Sequence, residues 1–504
     1  MNDENLYSLL RSRFPRNPEA PCLILPDGRA WTYGDIDQAS GRIARLIATL
    51  GLAPGDRVAV QVEKSPEALL LYLACLRAGT VFLPLNPAYQ RHELDYFLKD
   101  ARPGLFVCRP QMRALADALA ADAGVAHVLE LGDDGRGSLI DAASAQNEVL
   151  PTVPRRDIDL AAILYTSGTT GRAKGAMLSH RNLAANARVL SDYWRFQPDD
   201  VLLHMLPIYH VHGLFVASHC ALMSGSAMFF EPKFDPRRAL ELLPRATVFM
   251  GVPTYYVRLL TEAGFDRGLC AGMRLFVSGS APLAQETFVE FRDRTGHAIL
   301  ERYGMTEGGM FTSNPCDGER RGGTVGPALP GTELRIVGAD GQPLPEGEVG
   351  RIEVRGDNVF VGYWQMPDKT AEEFAAGGWF KTGDLGSTDA EGYVSIVGRS
   401  KDLVITGGLN VYPKEIETLI DGLPGVAESA VIGLPDPDFG EAVTAVVVAA
   451  RDGAGEALDE ADIIGALKGL VANFKVPKRV FFVSELPRNA MGKLQKNRLR
   501  QDLS

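Results

Sequence analysis

Cysteine is scarce in these 504 residues, with six in all: Cys22, Cys75, Cys108, Cys220, Cys270 and Cys316. No two fall in a CxxC spacing, which argues against a cysteine zinc ribbon or a thioredoxin-like redox motif. A chain of this size needs no disulfide staples, so a reducing cytosol is the expected setting. Long apolar runs are absent too. The longest uncharged candidate, Leu214–Phe230, has 17 residues and is broken by His219, Ser224, Gly225 and Ser226. A bilayer span needs about 20 mostly apolar residues, so this segment reads as a buried helix, a turn and a strand. The first 20 residues are charged and lack the apolar centre of a signal peptide. There is no excess of positive charge. Lys and Arg total 52 against 63 Asp and Glu, a net charge of −11, which argues against a general nucleic-acid partner. Internal repeats and low-complexity tracts are also missing.

What is present is an ordinary globular balance, 46% hydrophobic and 23% charged, and enough chain for about three or four domain-sized units. RVAVQV (57–62) reads as a buried strand, PEALLLYLACLRAG (66–79) as a helix closed by Gly79, and VFLPL (81–85) as the next strand. That order is the βαβ unit of a parallel sheet, and it recurs over 158–230 and 246–300. From about Gly331 short strands are punctuated by Gly and Pro. The last hundred residues read as a small α/β unit: a helix started by Pro413, strands SAVIGLP and AVTAVVVAA, a helix over 461–474 and a strand RVFFVSEL. The expected fold class is α/β. A large N-terminal domain (1–400, β-rich from about 325) precedes a small mobile α+β domain (401–504), with the polar stretch Gly398–Asp402 between them. Lys468 to Arg500 holds nine Lys/Arg and one acid, Glu485, a basic face suited to a polyanion.

The most informative stretch is Tyr165-Thr-Ser-Gly-Thr-Thr-Gly-Arg-Ala-Lys-Gly175, directly after the apolar LAAIL. Glycines let backbone N–H groups converge on phosphate oxygens, while hydroxyls and Lys174 add donors and charge. The Walker A spacing is not met. This loop resembles the phosphate loop of the adenylate-forming superfamily: acyl-CoA synthetases, peptide-synthetase adenylation domains and firefly-type luciferases. Further matches follow in order: Leu206–His210 (LPIYH), Ser278–Leu283 (SGSAPL), Arg302–Glu307 (RYGMTE), Thr382-Gly-Asp384, Gly398–Asp402 and Pro487–Lys493 (PRNAMGK).

The resemblance implies a two-step reaction: a carboxylate and ATP give an acyl-adenylate and pyrophosphate, then CoA gives the thioester and AMP. It implies an ATP site of Thr166, Ser167, Gly168, Thr169, Thr170, Gly171 and Lys174, with Ser278, Gly279, Ser280 and Ala281, and with Glu301, Arg302, Tyr303, Gly304, Met305 and Thr306. Asp384 and Arg399 are implied for the ribose. Thr166 and Glu307 would complete a Mg2+ environment, since a hard cation bridging phosphates wants oxygen ligands. Lys493 would stabilise charge during adenylation and leave before thiol attack, the C-terminal domain turning about Lys401. Gly407, Gly408 and Leu409 would line the CoA tunnel, and His210 the meeting point of acid and thiol. The Pro487–Lys493 stretch also resembles a site acetylated in bacterial relatives, which makes a lysine acetyltransferase acting on Lys493 an expected partner. A peptide-synthetase domain is the weaker reading, because no carrier-protein segment follows Lys493. A catalytically dead nucleotide binder is weaker still, with Thr166, Lys174, Glu307, Asp384, Arg399 and Lys493 all in place.

The family builds its acyl pocket around His210, Tyr255–Arg258, Ser280 and Arg302. Two arginines there are sensible only for an acid with a second negative charge, since a buried guanidinium is costly unless paired. Arg258, Arg302, Ser280 and His210 are therefore expected to hold the far carboxylate of a short dicarboxylate such as malonate; methylmalonate and acetate are the alternatives. His210 and His212 form an HxH pair, but no Cys or acidic third ligand accompanies it for zinc.

Overall fold

The computed structural model describes residues 3–166, 173–406, 409–437, 439–450, 458–468, 470–489 and 492–504. The chain divides into two compact units. The first is Met1–Gly322 with Ala328–Glu333 and Arg355–Gly378, and the second is Gly323–Pro327, Leu334–Val354 and Trp379–Ser504.

Two α/β sheets build the first unit. One has seven strands in the order Gly362–Tyr363, Lys174–Ser179, Leu160–Thr166, Val81–Pro84, Arg57–Gln61, Leu105–Cys108, His127–Glu130. Its last five strands run parallel, and the first two join antiparallel. The expected βαβ unit is there. Its helix, Pro66–Ala78, starts on Ser65, whose side chain accepts from the Ala68 N–H, and ends on Gly79 at φ 73°, a left-handed turn that glycine adopts at no steric cost. Ala68 to Ala78 are all buried, which accounts for the helix being apolar all round.

The other sheet has eight strands: Gly309–Ser313, Leu300–Met305, Leu275–Ser278, Val248–Gly251, Val201–His204, Ala227–Phe230, Pro21–Ile24 and Ala30–Thr32. Phe249 and Phe276 on its strands pack with Tyr256 and Phe291 from helices Pro253–Leu260 and Gln285–Thr295, Phe276 and Phe291 edge-on at 4.9 Å between ring centroids. The uncharged run 214–230 is buried here as a π-helical turn His212–Ala217, a helix Ser218–Ser224, Gly225 at φ 70°, and a strand. No helix among the described residues is long and apolar enough to cross a membrane.

The second unit holds an antiparallel sheet of Gly350–Gly356, Trp379–Thr388 and Val394–Arg399. It also holds the C-terminal sheet, in which Val426–Asp436 and Gly440–Ala449 form a long hairpin and Arg479–Val483 pairs parallel to the latter. One expected helix is shorter than its pattern. It runs Glu460–Leu467 from an Asp459–Asp462 capping box and stops where Lys468 turns to extended backbone, and Asn473–Lys475 forms a separate 3-10 turn where the apolar spacing suggests one continuous helix.

Candidate active site

The parallel strands of both sheets end at the residues that carry chemistry, as open α/β sheets place their ligand sites. Thr166 closes its strand opposite Lys174. Ser167, Gly168, Thr169, Thr170 and Gly171 lie outside the described residues. The Lys174 ammonium is 3.2 Å from Glu373 Oε1 and 4.1 Å above the Tyr363 ring centroid. The Tyr363 hydroxyl in turn donates to Glu307 Oε1 at 3.0 Å. Burial, then the charges of Glu307 and Glu373, hold that hydroxyl far above the usual tyrosine range, so it stays a donor. Glu307 is buried. No group of three or more His, Cys, Asp or Glu among the described residues is arranged to hold a metal ion. One buried carboxylate with a nearby hydroxyl fits a Mg2+ shared with phosphates, which takes only one or two protein ligands.

On the other sheet, the turn Ser278-Gly279-Ser280 and the strand Leu300–Met305 are brought together. Glu301 pairs with Ser278 in the parallel register, and Arg302 follows it with 4% exposure. The guanidinium lies flat on Gly279, where a Cβ would fall 2.4 Å from its central carbon. Gly304 is equally constrained, since a Cβ there would sit 1.9 Å from the Gly309 carbonyl oxygen. Arg302 Nε and Nη2 are buried with no hydrogen-bond partner, as is Ser278 Oγ. Desolvation pulls this guanidinium down to about 9, so it keeps its charge near neutral pH. Ser280, at φ 72°, holds a strained left-handed backbone and reaches His212 Nδ1 at 3.3 Å. His210 is half-buried, its Nδ1 3.4 Å from the His212 N–H. Tyr303, Met305, Thr306 and Ala281 are half-buried around this turn, with Tyr303 5.8 Å from the Phe311 ring.

Arg258 departs from its expected burial. The helix Pro253–Leu260 turns Pro253, Tyr256, Leu259 and Leu260 inward, leaving Val257 and Arg258 exposed. Arg258 makes no ion pair with a carboxylate of the described residues, and it stands close enough to Tyr255 to act on it electrostatically. Of the two expected arginines, only Arg302 is buried.

In the second unit, Asp384 and Arg399 face each other in the antiparallel register, Arg399 Nε 3.0 Å from Asp384 Oδ1. Asp384 is buried after Gly383 at φ 75°. Lys401 is exposed in the short turn Ser400–Asp402, where Asp402 accepts from Arg500 at 3.0 Å. Leu409 is exposed at the start of its strand; Gly407 and Gly408 lie outside the described residues. Lys493 is half-buried, and its N–H donates to Asn489 Oδ1 at 2.9 Å.

Two residues of this geometry escape sequence reasoning. Tyr363 reaches Glu307 only because its two-residue strand pairs with Lys174–Ser179; the one available signal is an aromatic pair after Gly362. His212 was visible only as half of an HxH pair.

The chain belongs to the AMP-binding enzyme family: the family pattern matches residues 10–364, and the pattern of its C-terminal domain matches 415–493. It is an adenylate-forming CoA ligase. The ATP-bound MatB of Rhodopseudomonas palustris is 56% identical over 99% of both chains, with a TM-score of 0.97. A sulfoacetate–CoA ligase of Cupriavidus necator is 35% identical, covering 98% of this chain and 97% of its own. A malonate–CoA ligase of Arabidopsis thaliana is 33% identical over 95% and 86%.

Proposed function

We propose that the protein joins malonate to CoA, forming malonyl-CoA, AMP and pyrophosphate through a malonyl-adenylate. One observation carries this reading: the Arg302 guanidinium is buried, charged and short of partners on Nε and Nη2. A buried cation without a counter-ion is costly, and an arriving carboxylate satisfies it bidentately. An acid with one carboxylate, which is consumed in adenylation, leaves Arg302 unpaired. The malonate–CoA ligase among its relatives supports the same choice.

In this reading Lys174, Thr166 and the loop 167–171 hold the phosphates, Tyr303 lies against the adenine, and Asp384 with Arg399 takes the ribose. Glu307 and Thr166 hold Mg2+, which neutralises phosphate charge. Ser280 and His210 flank the acid, and exposed Arg258 meets its outer side. Lys493 acts in the first half-reaction only, Lys401 is the hinge between domains 1–400 and 401–504, and Leu409 with Gly407 and Gly408 guides the thiol. Acetylation of Lys493 by a lysine acetyltransferase would switch off the first step alone.

The Tyr363 hydroxyl orients Glu307, so Tyr363→Phe is expected to raise the Mg2+ concentration for half-maximal rate about tenfold. Initial rates against free Mg2+ at saturating ATP check this; an unchanged midpoint contradicts the assignment.

Sulfoacetate is a second reading, favoured by the relative that uses it and by a sulfonate's fit to the same cation. The test is thioester formation with malonate, sulfoacetate, methylmalonate, succinate and acetate in parallel. Malonate is expected to give the highest kcat/KM. Sulfoacetate ahead of malonate changes the acid while keeping the site; acetate ahead of both removes the role of Arg302.

A further inference from the structure

Three histidines gather at the π-helical turn, and they differ in how fully their ring nitrogens are used. His204 is satisfied on both sides. Its Nδ1 is 2.9 Å from Lys64 Nζ, and its Nε2 lies 2.9 Å from the Gly213 carbonyl and 3.1 Å from Ser218 Oγ. Since a carbonyl only accepts, Nε2 carries the proton, and Nδ1 of the neutral ring accepts from Lys64. His204 thereby pins the carbonyl directly after His212, the first residue of the turn His212–Ala217. Turns of this type are rare and gather at functional sites.

His212 is held at one nitrogen only. It is 1% exposed, with Nδ1 3.3 Å from Ser280 Oγ. Its Nε2 is buried with no partner. Burial, then the charges of Arg302, His210 and His204, hold the ring well below the usual histidine range, so it is neutral. A neutral ring whose Nδ1 accepts from the Ser280 hydroxyl carries its proton on Nε2. Arg302 lies on Gly279 and His212 on Ser280, so both side chains abut one dipeptide. The unmet Arg302 Nε and Nη2 and Ser278 Oγ belong to that same turn and strand. Buried polar groups left unmet on one turn and its neighbouring strand describe a cradle for an anion.

We propose that His212 is a specificity-determining residue that touches substrate: its Nε2–H donates to the distal anionic group of the acid held by Arg302. The proposal rests on the reading of the substrate as an acid with a second negative charge, and deepens it. Arg302 supplies charge; His212 supplies a fixed, uncharged donor that gives that anion its orientation. An acid lacking the second group leaves the Nε2–H unmet, which adds to the discrimination.

The experiment compares wild type, His212→Leu and His212→Gln with malonate and acetate as separate substrates, reading kcat/KM for each and the KM of ATP. His212→Leu is expected to lower malonate kcat/KM about 10- to 100-fold, in line with a lost hydrogen bond to a charged group. Acetate and the ATP KM should stay within about threefold, a split that a merely structural role would not produce. His212→Gln keeps an N–H donor and should recover at least part of the malonate rate; it also stands in if the leucine variant fails to fold. Malonate and acetate falling together, or both variants keeping the wild-type malonate preference, overturns the role of His212 and leaves the acid assignment intact. Wild type preferring acetate overturns the acid assignment and this inference with it.

Discussion

Replacing Lys493 with alanine is expected to cut the ATP–pyrophosphate exchange rate about 10²- to 10³-fold, the usual consequence of losing one charge-stabilising donor at a reacting centre. Thioester formation from supplied malonyl-adenylate should stay within about threefold. The backbone bonds that close the local loop are independent of the side chain. The Lys493 N–H and carbonyl both bond Asn489, each at 2.9 Å, and Arg488 Nη1 donates to the Gly492 carbonyl at 2.8 Å. Gly492 takes a left-handed φ of 73°. Every one of these bonds uses the Lys493 backbone or its neighbours, and truncating the side chain removes none of them. Equal loss in both half-reactions would show that Lys493 serves something common to them, and the assignment to adenylation would fall.

Arg302→Met is expected to act in opposite directions on activity and stability. Removing one partner of a desolvated charge pair costs about 2–5 kcal/mol, which corresponds to a fall in malonate kcat/KM of at least about 30-fold. Without substrate, the same change removes a buried guanidinium with two unmet nitrogens, and replacing buried charge by apolar volume is often neutral or stabilising. The melting temperature of the free protein should therefore hold or rise while malonate turnover collapses. The pH dependence follows from the sign of the shift. Folding lowers the guanidinium from the usual arginine range to about 9, so the unfolded chain binds the proton more tightly and the penalty is fully present below about 9. Relief would come only as pH rises through that value, and the stability difference between variant and wild type should be flat from pH 6 to 8. A lower melting temperature together with loss of every acid substrate would mark Arg302 as structural.

Much of this architecture was legible in the sequence because the relevant signals are local. Ser65, Pro66 and Gly79 mark both ends of one helix in a way any chain context respects. Thr382-Gly-Asp384 and Gly398-Arg399 are turn and strand-end chemistry, and they meet because two adjacent strands pair. Other features depend on direction, which sequence carries less clearly. Arg258 is flanked by apolar residues in sequence but falls between the inward positions Tyr256 and Leu259 on its helix. The apolar spacing over 461–474 suggests one helix, yet its backbone leaves the helical region at Lys468. Tyr363 and His212 depend on tertiary placement. One is put beside Glu307 by a short strand from a distant segment, and the other is fixed by a π-turn that no hydrophobic period encodes. The net charge of −11 says nothing of the site, where among the described residues Arg302 is buried with two nitrogens unmet.

The most direct measurement is a competition: equal, subsaturating malonate and acetate offered together with ATP, Mg2+ and CoA, and the two thioesters separated by mass. A buried cation awaiting a second negative charge predicts malonyl-CoA in large excess, about 100-fold or more, given the cost of leaving that cation unpaired. Acetyl-CoA equal to or above malonyl-CoA would contradict it.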